Sequence, residues 1–300
     1  MLSDYDIVHV FSAINGNHRI IQYCRANSIK VVISPLIQPF WNKRFGKLAH
    51  NIERAVGWLT NWNLRTEYQH IMEALQKADA VVALGDTERH SIQDAFGITA
   101  SKVQVIPNGI PERYFHSNLE SFSAHYQIPP GFVLCVGTIS PYKNQLAVAK
   151  ALEDSGIELV LIGSCDNSDR QYLSQLKAFR HVRYIGTIDY SDPLLASAYS
   201  AASVFCLPSR SEVMPLSVLE SLAAGTPVVM TTAHAMDTSG LRSVLKEVTP
   251  TDEAALLHAI TAFRESTPTA HQCRSSVAHL GWDAVALELK RLYLKVCSDN

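Results

Sequence analysis

Long apolar runs are missing from this chain of 300 residues. None approaches the roughly 20 residues that a membrane helix needs, so no transmembrane segment is expected. A basic block is missing too. Lysine and arginine total 26 against 28 acidic residues, a net charge of −2, so nucleic acid is not an expected partner. Met1-Leu2-Ser3-Asp4-Tyr5-Asp6 has no basic segment, and no signal peptide is expected. Cys24, Cys135, Cys165, Cys206, Cys273 and Cys297 form no CxxC pair. Several lie in apolar runs, so reduced buried thiols of a cytosolic protein are expected rather than disulfides or a metal site. HExxH and HxH are absent, and no metal or other cofactor is expected. The lack of GxSxG, P-loop and GxGxxG patterns argues against hydrolase, kinase and dinucleotide-enzyme readings.

What the sequence does have is alternation, in a composition of globular type (47% hydrophobic, 18% charged). Asp6–Phe11, Lys30–Ile33, Ala80–Leu84 and Val103–Ile106 read as buried strands. Arg19–Asn27, Ala49–Lys77 (one long helix or two shorter ones) and Glu88–Phe96 read as helices, and Ser34–Lys47 as loop. Pro107-Asn108-Gly109 turns the chain, and Ser117–Pro130 looks irregular. A second series follows. Its strands are Phe132–Val136, Leu159–Ile162, Val182–Ile185, Val204–Leu207 and Thr226–Met230. Its helices are Asn144–Glu153, Gln171–Phe179, Pro193–Ala201, the stretch after Pro215, Asp252–Arg264 and Trp282–Val296. Such alternation predicts parallel sheets covered on both faces. The expected fold is α/β, with two doubly wound domains and a cleft between them. The last helix packs by default and can cross back onto the first domain. Ligands of such folds gather at the carboxyl ends of strands, where Asn15, Gly137, Gly163, Gly186 and Glu212 fall.

The densest signal is Ser209–Val229, which reads as loop, helix, turn and strand. Pro215 suits a helix start, Leu216, Leu219 and Ala223 repeat at helical spacing, and Gly225 sits where the helix ends. The free amides around Leu216 and Ser217 favour a phosphate. Glu212 precedes the helix and Glu220 lies about one turn inside it. A phosphate seat between two carboxylate acceptors suits a nucleotide sugar. Read singly, the two glutamates are a loop carboxylate and a helix-surface carboxylate.

Other candidates are weaker. In Gly137-Thr138-Ile139-Ser140-Pro141-Tyr142-Lys143-Asn144 the glycine admits a ligand to the backbone and Lys143 offers a point charge, or the segment is a turn with a solvated lysine. Gly163, and Gly186 with Thr187 and Ile188, mark strand ends that serve equally as turns. Asn15, Gly16, Asn17 and His18 form a polar loop after the first strand. His18 is a base, a ligand contact or a plain surface histidine. His9 is expected in the core. The pair Trp58 and Trp62, and Phe40-Trp41, are assigned to the core rather than to a sugar platform.

Taken together, these residues resemble a known family. Glu212-x7-Glu220 resembles the donor-site signature of retaining GT-B glycosyltransferases, the glycogen-synthase-like family four. Ala78-Asp79-Ala80-Val81-Val82-Ala83-Leu84, Val103–Ile110 (VQVIPNGI), Val136-Gly137 through Lys143-Asn144, and Gly281-Trp282 resemble further segments of the family, in the family's order. The resemblance implies a GT-B fold. It divides the chain into a shortened N-terminal acceptor-side domain over 1–115, a C-terminal nucleotide-sugar domain over 116–280 and a closing helix over 281–300. It implies a metal-independent enzyme moving a hexose-type sugar from a UDP- or GDP-sugar to a sugar or lipid-linked acceptor, with retention of configuration, in polysaccharide or glycoconjugate synthesis. Lys143 would bind the diphosphate. Glu212 would contact the transferred sugar and stabilise its anomeric centre. Gly137, Thr138 and Gly163 would border the donor. Met214, Pro215, Leu216 and Ser217 would line the phosphate seat, Glu220 would hold the ribose, and Gly186, Thr187 and Ile188 would border the base. Asn15, Gly16, Asn17 and His18 would lie on the acceptor side. The expected location is the cytoplasm, or peripherally the inner membrane face. A partner chain or second copy completing the acceptor lobe is a further expectation.

Two features depart from the pattern. Thr138 stands where the family usually has arginine. The family's earlier N-terminal units, with their glycine-rich loop, have no counterpart. A nucleotide-sugar-binding protein that is non-catalytic or partner-dependent, and a sugar-nucleotide epimerase, are therefore the rival readings.

Overall fold

The computed structural model describes residues 2–61 and 63–298. It divides into two compact units. One comprises residues 1–108, the short segment His234–Asp237 and the C-terminal helix from Asp283; the other comprises Gly109–Ala233 and Thr238–Trp282.

The first unit holds β1 (Ile7–Phe11), α1 (His18–Ala26), β2 (Lys30–Ser34), α2 (Lys43–Leu59), α3 (Glu67–Lys77), β3 (Ala80–Ala83), α4 (Asp86–Phe96) and β4 (Val103–Val105). Its strands pair in parallel in the order β1-β2-β3-β4. Successive side chains of a strand point to opposite faces. Val31, Ile33, Val81 and Ala83 accordingly join a core with Ile21, Leu75 and Ile92. Val32, Ala80 and Val82 pack instead with Val285, Leu292 and Val296 of the C-terminal helix. His9, expected in the core, is half-buried: it donates to or accepts from Tyr293 Oη at 2.6 Å and Ser34 Oγ at 2.9 Å, and burial pushes its pKa down to about 4.

The second unit holds α5 (Glu112–Phe115), α6 (Glu120–Tyr126), β5 (Val133–Val136), α7 (Gln145–Ala151), β6 (Leu159–Ile162), α8 (Arg170–Lys177), β7 (Val182–Gly186), α9 (Pro193–Ala201), β8 (Val204–Leu207), α10 (Leu216–Ala224), β9 (Val228–Thr231), β10 (Leu245–Val248), α11 (Glu253–Glu265) and α12 (Ala270–Val277), and the C-terminal helix is α13 (Trp282–Ser298). All pairings are again parallel, in the order β10-β9-β8-β5-β6-β7. The chain runs outward from β5 through β6 and β7, then returns to the other side of β5 as β8. The crevice at the carboxyl ends of β5 and β8 is therefore the topological switch point, where open α/β sheets take their ligands. At the start of this unit Gly109 lies under the Trp282 ring, where an added Cβ would come within 2.4 Å of the indole. Ile110 bridges to Gly281 beside that contact.

Both sheets are parallel and helix-covered, as the alternation predicts. Several local expectations need correction. The helix expected from Ala49 begins at Lys43, where Asn42 caps it by accepting from Arg44 N and Phe45 N. Ser117–Pro130 contains α6 rather than wholly irregular chain. β10 and α12 lie in stretches read without regular structure. β10 reads LKEV and pairs only with β9, so a polar pair replaces the apolar run that marks its neighbours. Trp58, expected in the core, is 81% exposed, and Phe40 is exposed as well. Among the described residues of that group, Trp41 packs against the first core. Trp62 lies outside the described residues. All six cysteines are free thiols, four of them buried.

Candidate functional site

The two loops flanking the switch point are laced together. Asn144 adopts a left-handed conformation (φ 59°), and its Nδ2 donates to Pro208 O at 3.2 Å and Pro250 O at 2.7 Å. Tyr142 Oη donates to Ser211 O at 2.7 Å, and Arg210 N donates to Tyr142 O at 2.9 Å. These bonds bring Lys143, from the loop after β5, onto Glu212, from the loop after β8. Lys143 Nζ lies 2.6 Å from Glu212 Oε1. Both side chains are largely shielded from water, so screening of the pair is reduced. Glu212 is further fixed through its backbone N–H, which donates to Ala233 O at 2.8 Å.

The strand ends beside this pair are built from glycine for steric reasons. Gly137 N donates to Ile162 O and Gly163 N to Gly186 O. Gly163 has φ 153°, and a Cβ there would meet the Gly137 carbonyl oxygen at 2.0 Å. No side chain fits there. The aliphatic stem of Lys143 passes over Gly137, 3.8 Å from where a Cβ would be.

α10 begins just beyond Glu212. Pro215 is its N-cap residue, and no side chain caps the first turn, so the amides of Leu216 and Ser217 keep their donors for another partner. Gly225 closes the helix in the left-handed conformation. Met214 and Ser217 are half-buried, Pro215 is buried and Leu216 is exposed.

Glu220, on α10, is 5% exposed. Its Oε2 accepts from Tyr199 Oη at 2.9 Å. Burial raises its pKa, and the neighbouring Tyr199, Tyr114, Arg113 and Tyr190 partly offset that. Arg113 lies 4.9 Å from the Tyr114 ring and 4.5 Å from the Tyr190 ring, and donates to Tyr190 O at 2.7 Å. Arg113 Nε and the Tyr114 hydroxyl are buried without a hydrogen-bond partner, a costly arrangement for two donors. Arg113, Tyr114, Tyr190 and Tyr199 are the residues that sequence reasoning missed. They come from α5, α9 and the loop after β7, and no spacing links them to Glu220.

The remaining candidates are less concentrated. Thr138 and Thr187 are exposed and Ile188 is buried. Asn15, Gly16, Asn17 and His18 belong to the first unit, after β1. There Asn15 and Gly16 have φ 59° and 82°, and Asn17 Nδ2 donates to Phe11 O and Ser12 O, both at 3.0 Å, closing the loop onto the strand end. His18 is buried and stacks on His70 with ring centroids 4.1 Å apart. Burial, then the adjacent His70, lower its pKa. It is not the surface histidine of the plainer reading.

The Lys143–Glu212 pair thus lies at the switch point of a parallel sheet, beside an uncapped helix start, on a Rossmann-like fold. The comparisons with known proteins identify the family. The model of glycosyltransferase family 4 matches residues 2–113, and that of glycosyl transferases group 1 matches residues 130–265. The chain belongs to this glycosyltransferase family. It is 30% identical over 240 residues to a D-inositol 3-phosphate glycosyltransferase of Acidothermus cellulolyticus, covering 70% of this chain and 52% of the relative. It is 27% identical over 245 residues to the protein of that name from Streptosporangium roseum, covering 74% of this chain and 56% of the relative. The chain thus spans about half the length of the curated relatives it matches. Its fold is that of a sucrose-phosphate synthase from Thermosynechococcus elongatus (TM-score 0.80, 22% identity, 99% of this chain and 75% of that one). An Anabaena protein solved with UDP shares it too (TM-score 0.73, 17% identity, 98% and 80%). The fold class is therefore GT-B.

Proposed function

We propose that this chain is a glycosyltransferase that takes its sugar from a uridine or guanosine diphosphate sugar and transfers it, without a metal ion, with retention of configuration. The observation that carries this reading is the Lys143–Glu212 pair, 2.6 Å apart, at the switch point ahead of the α10 start. A diphosphate arriving there competes with Glu212 for Lys143. When Lys143 turns to the phosphates, Glu212 is released to accept from sugar hydroxyls and to stabilise positive charge at the anomeric carbon. Lys143 and the amides of Leu216 and Ser217 stabilise the departing diphosphate, as preorganised donors aimed at developing charge do. The bond from the anomeric carbon to the phosphate oxygen breaks as the acceptor oxygen bonds on the same face. The departing phosphate takes the acceptor's proton, so no separate base is required. Glu220, held by Tyr199, faces the ribose, and the strand end at Gly186–Ile188 borders the base. The acceptor is a sugar or a lipid-linked molecule. A structural neighbour solved with UDP, and relatives named D-inositol 3-phosphate glycosyltransferase, support a nucleotide-sugar donor.

The test replaces Glu212 and Glu220 separately with Gln and follows sugar transfer from a panel of nucleotide sugars. Unchanged transfer in both variants would remove the site assignment. A second reading, binding without turnover, is favoured by Thr138, which places an exposed neutral side chain beside the diphosphate seat. It predicts calorimetric binding of a nucleotide sugar with neither transfer nor hydrolysis under any acceptor.

A further inference from the structure

α2 is mounted with its apolar stripe outward. The residues it buries are Gly46, Glu53 and Gly57. At Gly46 a Cβ would lie 2.5 Å from Ala95 Cα, so the helix meets α4 through a glycine and no larger side chain can turn inward there. Glu53 is 2% exposed and accepts from both the backbone N–H (2.9 Å) and the hydroxyl of Thr66. These contacts set the rotation of the helix about its axis. Phe45, Leu48, Ile52 and Leu59 are left outside, from 42% exposed at Phe45 to 73% at Leu59. Leu48, Ile52 and Leu59 follow Phe45 by three, seven and fourteen residues, which aligns all four in one stripe. Along the adjoining arc stand Lys43, Arg44, Lys47 and Arg54, all exposed. Glu53 is the helix's one carboxylate, and it points inward. Trp58 adds an exposed aromatic within the basic arc.

We propose that α2 is a membrane-surface helix, which lies on an anionic lipid bilayer with its stripe in the boundary between headgroups and acyl chains. An apolar stripe beside an unopposed basic arc is the pattern of interfacial helices, with aromatic and aliphatic side chains inserted and cations at the lipid phosphates. The charge selects this occupant over a second copy of the chain. A symmetric contact through α2 would set four cations against four, and like charges across an interface oppose association. Among the described residues no helix is long and apolar enough to cross a membrane, so the association is interfacial. The inference does not depend on the proposed sugar chemistry.

The test is flotation of the full chain with phosphatidylcholine vesicles, with and without a third of phosphatidylglycerol. Binding to the anionic vesicles is expected to exceed binding to the neutral ones by about tenfold or more, and to fall by a similar factor in about 0.5 M salt. The triple variant Leu48→Ser, Ile52→Ser, Leu59→Ser and, separately, Lys43→Gln, Arg44→Gln, Lys47→Gln should each lose vesicle binding while keeping the wild-type circular dichroism and melting transition. All six side chains are exposed, so both variants should fold. Equal binding to both vesicle types, no binding to either, or retention of anionic binding in either folded variant would overturn the proposal. So would a dimer, seen by ultracentrifugation, that the serine variant dissociates while vesicle binding persists.

Discussion

If Lys143 is held by Glu212 until a diphosphate displaces it, neutralising Glu212 should separate binding from turnover. In Glu212→Gln the lysine no longer has a carboxylate competitor. The ion pair is partly reached by water, with 26% of the lysine side chain exposed, and its release is worth about 1 kcal/mol. UDP, which carries the diphosphate but no sugar, should bind about fivefold more tightly to the variant. Turnover should move the other way. Loss of the charge at the anomeric centre should lower kcat by roughly 10²–10³-fold, the range for removing one preorganised electrostatic contact. Lys143→Met provides the opposite arm. It deletes a charge-assisted bond worth about 1.5–3 kcal/mol and should weaken UDP by roughly 10- to 150-fold. Calorimetry with UDP and initial rates with the nucleotide sugar read the two quantities separately. If Glu212→Gln weakens UDP as much as Lys143→Met does, or leaves kcat unchanged, the competition argument fails.

Other consequences are more local. Gly163→Ala places a methyl 2.0 Å from the Gly137 carbonyl oxygen, and should cost about 3 kcal/mol or more of stability in urea unfolding, or open the rim and abolish nucleotide binding. Tyr199→Phe removes the 2.9 Å donor of the buried Glu220 carboxylate, and should cost about 1–3 kcal/mol in the same assay. Glu88 is fully buried and accepts from Ile37 N at 2.6 Å and Leu84 N at 2.7 Å, yet burial pushes its pKa up to about 7. Between its ordinary 4.5 and about 7 the folded chain holds a proton that the unfolded chain has released. Stability from this group therefore falls as pH rises through that window, by on the order of 3 kcal/mol in total. Glu88→Gln should flatten that part of the pH–stability curve; an unchanged slope would show that another group sets it.

The site was legible where chemistry and chain order coincide. Glu212, the α10 start and the Lys143 loop follow buried strands, and a parallel sheet brings strand ends to one edge. Their spacing in sequence thus survives as proximity in space. The environment of Glu220 was not legible, because Tyr199, Tyr114, Arg113 and Tyr190 approach it from separate elements. Periodicity placed Trp58 in the core for a related reason. It detects an apolar stripe without revealing which side of the helix the neighbours can approach, and glycines at 46 and 57 gave that role to the other side. The strand β10 escaped because its Lys246 and Glu247 interrupt the apolar run by which a buried strand is recognised. Helix starts were misplaced where a side-chain cap decided them, as Asn42 does for α2.

The central claim is that the switch point of the second unit holds a nucleotide sugar through Lys143. Its most direct measurement is the melting temperature of the full chain with UDP-, GDP- and ADP-sugars, in the wild type and in Lys143→Met. A ligand at one hundred times its Kd adds about 2.7 kcal/mol to the native state. One of these sugars should therefore raise the wild-type transition by several degrees and leave Lys143→Met almost unmoved. If no nucleotide sugar shifts the wild type at saturating concentration, or if the variant shifts equally, the claim is contradicted.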